Sequence, residues 1–241
     1  MLFRSNDTAT TEIYTVLHTL SLHDALPITA VEAPDQETLD QAGVREASDS
    51  VVKVLGQARC ERGIEGSGFV YAPDRIMTNA HVVAGVSEPF VEIDGRRIRA
   101  EVVLFDPELD VAVLAVEALG VGPLEFDTRG ESGQPAAILG YPENGPFDAR
   151  AARIRSRIDL RSPDIYDRGE VSRQSFSVRG LVRSGNSGGP LVSADGDVLG
   201  VIFAASISDS STGYALTAEQ VAEDAEKGRS ARRAVSTGEC A

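Results

Sequence analysis

Three side chains in this sequence have the types that nucleophilic acyl transfer needs. Ser187 stands in R-S-G-N-S-G-G-P-L-V, Arg183 to Val192, with Gly185, Gly188 and Gly189 around it. Glycine on both sides of a serine lets the backbone bend tightly and push the hydroxyl outward. A serine hydroxyl is a poor nucleophile at its free pKa, so it requires a base and a group that orients the base. His81 lies in T-N-A-H-V-V, Thr78 to Val83, just after an expected strand. A lone histidine is more often a satisfied core or surface residue than a catalytic one. Asp110 changes that balance. It falls in D-P-E-L-D-V-A-V-L, Asp106 to Leu114, directly before an apolar run. A carboxylate buried there needs a partner such as an imidazole N–H to offset its desolvation. Asp106, ahead of Pro107, reads more simply as a turn residue.

The remaining histidines, His18 and His23, sit in a stretch that does not read as evolved protein. Asn6 to Thr15 (N-D-T-A-T-T-E-I-Y-T) and Thr19 to Ile28 (T-L-S-L-H-D-A-L-P-I) look like in-frame translations of the constant parts of a sequencing-library adapter. Val16 and Leu17 fall where a variable index would lie. Residues 1–28 are therefore expected to be an adapter artefact without ordered structure. A signal peptide fits poorly, because Asp7, Glu12 and Asp24 interrupt any apolar core. With that segment set aside, His81 has no rival as base.

The elements that must position these residues are short and β-rich. Residues 29–49 are polar and acidic and read as a linker with one short helix. From Ser50 come runs at Val51–Leu55, Gly68–Tyr71, Arg75–Thr78, Val91–Ile93, Ile98–Phe105 and Val111–Val116, separated by turn signals such as Pro73-Asp74 and Asp94-Gly95. That pattern suggests a small antiparallel barrel over residues 50–127. A second series, over residues 128–217, includes Ala136–Gly140, the alternating stretch Arg153–Arg161, and Ser175–Val178, Leu191–Ser193, Val198–Ala204 and Tyr214–Leu216. Asp195-Gly196 reads as a hairpin turn. Thr217 with Gln220 forms a capping box for a terminal helix to about Lys227, within a closing segment of residues 218–241. The arginines between Arg150 and Arg183 read as solvent-facing sides of strands rather than as a binding patch.

Composition narrows the function. With 37 acidic against 23 basic residues and a net charge of -14, nucleic-acid binding is not expected. The longest apolar run, Val111–Val116, falls far short of the roughly 20 residues that span a bilayer. Two cysteines as far apart as Cys60 and Cys240 suit neither a zinc site nor a C-x-x-C redox motif, and no metal or other cofactor is expected.

The order His, Asp, Ser separates the chymotrypsin type from subtilisin and from the α/β-hydrolases. Together, T-N-A-H-V-V, D-V-A-V-L and G-N-S-G-G-P resemble the three motifs of trypsin-like serine proteases of the bacterial HtrA-like kind. G-S-G-F-V-Y, F-A-A-S, T-G-Y-A-L-T and a cysteine near each end resemble more closely the periplasmic protease domain of the actinobacterial acid-resistance (MarP) family. The resemblance implies an all-β fold of two six-stranded antiparallel β-barrels (chymotrypsin-like) with a short C-terminal helix. It implies that Ser187 attacks the scissile carbonyl, His81 moves the proton and Asp110 orients the imidazole, with the N–H groups of Gly185 and Ser187 as oxyanion hole. A specificity pocket bordered by Leu181, Phe203, Ala204, Ala205 and Gly213 carries no acid, so an apolar side chain is expected there.

Asn186 departs from the digestive enzymes, in which an aspartate at this place pairs with a newly freed N-terminus. Activity is therefore expected not to need such a terminus, and residues before Ser50 to be dispensable. An even cysteine count in a protein that reads as exported, together with the resemblance, implies a Cys60–Cys240 disulfide. The family is anchored to the cytoplasmic membrane through upstream helices that this chain lacks, so the membrane is expected as a partner only through that absent anchor. Protein or peptide substrates are the expected partners. The competing reading is a catalytically silent binding module with a protease fold. A stress chaperone-protease is less favoured, because no further domain follows the barrels.

Overall fold

The computed structural model describes residues 30–241. The expectation for residues 1–28, His18 and His23 included, lies outside the described residues. The first sheet has seven antiparallel strands: β1 Val51–Gln57, β2 Gly63–Ala72, β3 Arg75–Thr78, β4 Phe90–Ile93, β5 Arg96–Arg99, β6 Glu101–Asp106 and β7 Val111–Ala115. Their order is β5-β4-β1-β2-β3-β7-β6. One expected run, Ile98–Phe105, is divided between β5 and β6, which accounts for the seventh strand. Asp94 and Gly95 both hold positive φ, 49° and 71°, the requirement of the tight turn that folds β4 onto β5. Val52, Val54, Val70, Ile76, Val91 and Leu114 fill this half.

The second half closes fully, as β10-β13-β12-β11-β8-β9. Its strands are β8 Pro135–Gly140, β9 Asp148–Pro163, β10 Glu170–Arg179, β11 Pro190–Val192, β12 Val198–Ala205 and β13 Thr212–Thr217. Closure leaves no unpaired edge. Ile138, Ile154, Phe176, Val178, Leu191 and Ile202 fill its interior. A third cluster draws Phe69, Met77 and Val113 from the first sheet and Leu139, Val201 and Leu216 from the second, so the two halves share one apolar seam.

Residues expected to form a linker are docked. A 3-10 turn at Gln36–Asp40 leads into helix α1, Ala42–Ser48. Val44 and Ala47 join the shared seam, and Gly43 lies so close to Asp195 that a Cβ would sit 2.2 Å from its carbonyl carbon. Removing everything before Ser50 would strip those buried side chains. The segment ahead of this helix is also engaged, with Thr38 buried and the carbonyls of Ala33 and Val31 accepting from Arg153 and Arg179, so the expectation that residues before Ser50 are dispensable does not fit these contacts.

The wet-face reading of the second-half arginines also needs correction. Arg157 is exposed on β9 as expected, but Arg155 is only 6% and Arg173 only 2% exposed. Arg155 lies 3.6 Å from Asp209. Arg173 donates to the carbonyls of Glu108 and Pro163 and to Ser162 Oγ, at 2.8, 3.0 and 2.5 Å. Local acceptors make burial tolerable where strand alternation alone predicted exposure.

The short helix α2, Ala80–Val83, carries His81, and α3, Ala218–Ser230, closes the fold. Thr217 caps α3 by accepting from the Gln220 N–H at 3.1 Å. The reciprocal half of the expected capping box is absent. Gln220 Oε1 instead accepts the main-chain N–H of Gln174 on β10 at 2.7 Å, which ties the helix to the barrel. The tail beyond α3 is pinned. Gly85 N–H donates to Thr237 O at 3.0 Å, Thr237 Oγ donates to Val86 O at 2.8 Å, and Cys60 and Cys240 form a disulfide.

Candidate active site

His81 and Asp110 meet at the end of the first half. Asp110 occupies the position before β7 with φ 64°, a left-handed conformation that aspartate tolerates better than most residues. Asn79 Nδ2 holds its carbonyl at 2.8 Å. The two carboxylate oxygens then divide two donors of His81: Oδ1 accepts the main-chain N–H at 2.9 Å and Oδ2 meets ring Nδ1 at 2.7 Å. With Asp110 only 4% exposed, water does not compete for these bonds. A carboxylate at Nδ1 keeps the proton there and leaves Nε2 as the basic nitrogen. Nε2 has no hydrogen-bond partner. Asp106 does what a turn residue does, accepting from the N–H groups of Glu108 and Leu109.

The serine turn packs against the same elements from the second half. Gly188 has φ 82°, and a Cβ there would lie 2.2 Å from Ser67 O, 2.3 Å from Thr78 Oγ1 and 3.0 Å from Asn79 N. Gly66 is squeezed between Val82 and the carbonyl of Ser187, with its notional Cβ 2.6 Å from Val82 Cγ1 and 3.2 Å from Ser187 O. Ser187 is thereby lodged beside α2, and no hydrogen bond joins its hydroxyl to His81 Nε2. Such contacts commonly tighten only when substrate binds.

Gly185 adopts φ 87°, and among the described residues no hydrogen bond takes its N–H or that of Ser187. The intervening Asn186 N–H is used, donating to Arg183 O at 3.0 Å. Asn186 Oδ1 in turn accepts Arg183 N–H at 2.9 Å. The turn thus closes on itself through these two bonds. Two unengaged N–H groups beside a serine hydroxyl are what a developing oxyanion requires.

Of the expected pocket residues, Phe203, Ala204 and Ala205 lie at the end of β12 and Gly213 at the start of β13, whereas Leu181 follows β10. Gly213 pairs with Ala205 and with Val178, and a Cβ on it would strike Val182 Cγ2 at 2.3 Å. Leu181 is 42% exposed, whereas Phe203 and Ala204 are buried in the seam. The adjoining loop, Ser206 to Ser211, is organised by Asp209. Its carboxylate accepts from Thr212 Oγ1 and from Ser211 Oγ and N, at 2.7, 2.7 and 2.9 Å. Those hydrogen bonds, from Thr212 first, lower its pKa to about 2. Among the described residues no cluster of three or more His, Cys, Asp or Glu forms a metal site.

Three residues of the site escaped sequence reasoning. Ser67, in G-S-G-F-V-Y, bonds the serine turn. Lys53 reaches from β1 to Asn144, and Arg173 reaches from β10 to the loop that carries Asp110. Only Ser67 lay within a quoted motif, and no pattern in the sequence distinguishes a buried bridging serine from a strand serine.

Comparison with known proteins agrees with this geometry. The trypsin-like peptidase domain model matches residues 66–201. Serine protease Rv3671c of Mycobacterium tuberculosis is 44% identical over 217 residues, covering 89% of this chain and 54% of that protein. The chain thus spans about half the length of this curated relative. A probable periplasmic DegP-like serine endoprotease of Halomonas elongata is 41% identical over 149 residues, 58% of this chain and 29% of its own length. The crystal structure of the Rv3671c protease in its active form superposes with a TM-score of 0.86, covering 89% of this chain and 95% of that one. Its inactive form gives 0.75, covering 82% and 98%. The chain belongs to the trypsin-like peptidase family.

Proposed function

We propose that this chain is a serine endopeptidase whose nucleophile is Ser187, with His81 as base and Asp110 as the group that orients it. Ser187 Oγ attacks the scissile carbonyl as Nε2 of His81 takes its proton, and the imidazolium returns that proton to the leaving amine. The N–H groups of Gly185 and Ser187 receive the oxyanion. Each donor of this kind is typically worth about 3 to 4 kcal/mol of transition-state stabilisation. The observation that carries the reading is the two-point His81–Asp110 pairing, 2.7 and 2.9 Å, which leaves Nε2 without a partner beside the serine turn. The test is labelling with a fluorophosphonate, compared with Ser187→Ala. Serine-dependent labelling is expected, and its absence would favour a silent binding module.

Leu181, Ala204, Ala205 and Gly213, with Phe203 behind them, border the pocket for the residue before the cleaved bond. No acid among them would balance a lysine or arginine, so an apolar side chain is preferred. A substrate-library scan dominated by basic residues would overturn this assignment.

An extracytoplasmic setting is supported by the disulfide, since such bonds persist in oxidising compartments, and by the likeness to a probable periplasmic endoprotease of Halomonas elongata. The full-length protein would be held at the membrane by an upstream anchor and would serve in envelope or acid stress. Because a histidine base must be neutral to accept a proton, acid by itself slows the chemistry. Any activation in acid must therefore act through conformation or assembly.

A further inference from the structure

We propose that Ser67 is a positioning residue that presets the oxyanion hole by fixing the peptide groups on either side of Gly185. This rests on the assignment of Ser187 as nucleophile and of Gly185 N–H as an oxyanion donor.

Ser67 is fully buried on β2, in the opposite half of the fold from the serine turn. Its hydroxyl accepts the main-chain N–H of Tyr141 at 2.8 Å. It also contacts the carbonyl of Gly185 at 2.6 Å. An amide N–H can only donate and a carbonyl can only accept, so the single hydroxyl proton is committed to Gly185. The main chain of Ser67 makes a third link, donating its N–H to Ser187 O at 2.8 Å. Its own carbonyl is held by Thr78 Oγ1 at 2.7 Å. One side chain thus joins β2, the start of the 141–145 turn and the serine turn.

The consequence follows from peptide planarity. In a trans peptide the C=O and the following N–H point in opposite directions. Ser184 O accepts Glu143 N–H at 2.8 Å, which turns the next N–H, that of Gly185, the other way. Gly185 O is held by Ser67, which fixes the following peptide. Gly185 at φ 87° is a residue at which such planes rotate easily, so these two bonds decide whether an N–H or a C=O faces the hole. The 141–145 turn needs support of its own, because Glu143 and Asn144 both hold positive φ, 55° and 54°. Lys53 supplies it: its Nζ donates to Asn144 O at 3.1 Å and to Asn144 Oδ1 at 3.3 Å, and lies 5.4 Å from the Tyr141 ring centroid.

The experiment uses the whole chain carrying Ser67→Ala, Lys53→Met or Lys53→Arg. Steady-state hydrolysis of a chromogenic peptide is measured beside inhibition by the matching peptide aldehyde, which adds Ser187 Oγ to give a hemiacetal oxygen in the hole. Ser67→Ala is expected to lower kcat about 10- to 100-fold with KM within about threefold, and to weaken the aldehyde in parallel. Lys53→Met should show the same split at about three- to tenfold, with Lys53→Arg restoring most of it. Should Ser67→Ala fail to fold, the Lys53 pair carries the test. Unchanged kcat and aldehyde affinity in a reactive protein would overturn the proposal alone. A wild-type chain that neither labels nor hydrolyses would overturn the nucleophile assignment and this proposal with it.

Discussion

Replacing Asp110 by asparagine isolates the orienting role of the carboxylate from its role in the fold. Asparagine has nearly the same shape and tolerates the φ of 64° found here. Asp110 now accepts two His81 donors, one on each oxygen, at 2.9 and 2.7 Å. A carboxamide has one oxygen and one NH2, so two arrangements are open. In the first, the oxygen keeps the ring N–H and the NH2 faces the main-chain N–H of His81. Two buried donors then confront each other, at a cost of about 1 to 3 kcal/mol. In the second, the oxygen keeps the main-chain N–H and the NH2 donates to ring Nδ1, which satisfies every group. That arrangement wins, and it forces the ring proton onto Nε2, where it blocks acceptance from Ser187. The fold should survive while the base is lost. Activity is expected to fall about ten-thousand-fold, as in triads of this type, which is about 5.4 kcal/mol of barrier. The assay is kcat/KM on a peptide substrate at neutral pH, beside thermal unfolding by circular dichroism. Activity within tenfold of wild type, with unfolding unchanged, would refute the tautomer argument.

Other perturbations probe the rest of the frame. Gly188→Ala places a Cβ 2.2 Å from Ser67 O at φ 82°, so a loss of at least about 2 kcal/mol of stability is expected by denaturant titration, together with lost activity. The Cys60–Cys240 bond spans a sequence separation of 180, which in the chain-entropy model gives up to about 5 kcal/mol. Dithiothreitol should lower the melting temperature markedly and free the tail, and an unchanged melt would count against that contribution. Asp209, held down to about 2 by its hydrogen bonds from Thr212 and Ser211, contributes stability that is present above about pH 4 and lost as pH falls through about 2. Asp209→Asn should flatten the stability curve in that window, and identical acid unfolding of the two proteins would refute the assignment.

How much of this was legible depends on what kind of interaction each residue makes. The His81–Asp110 pairing and the tight turn that carries Ser187 were readable because glycines and a buried strand start mark their places. The turns at Asp94-Gly95 and Asp195-Gly196 were readable because few residues accept positive φ. Arg155 and Arg173 were misplaced because period-two alternation reports which face a side chain takes, not whether a loop later covers it. The docking of α1 was missed for a related reason: an acidic segment with two small apolar anchors, Val44 and Ala47, looks like linker until the groove that receives it exists. Lys53 and Ser67 act through main-chain atoms distant in sequence, at separations of 91 and 118 residues. No local pattern encodes such partners.

Control of the site can be located from these same contacts. Asn186 closes the serine turn through Arg183 N–H. What remains adjustable is the orientation of the Ser184–Gly185 peptide, and its carbonyl is held by one N–H from a turn at positive φ. That turn in turn leans on Lys53 from the opposite half of the fold. Any event that shifts the two halves relative to each other therefore acts on the oxyanion hole through Lys53, and on the loop that carries Asp110 through Arg173, while the His81–Asp110 contacts themselves lie within one half. Loss of activity by such a shift should leave fluorophosphonate labelling slowed in step with kcat, while the imidazole keeps its tautomer.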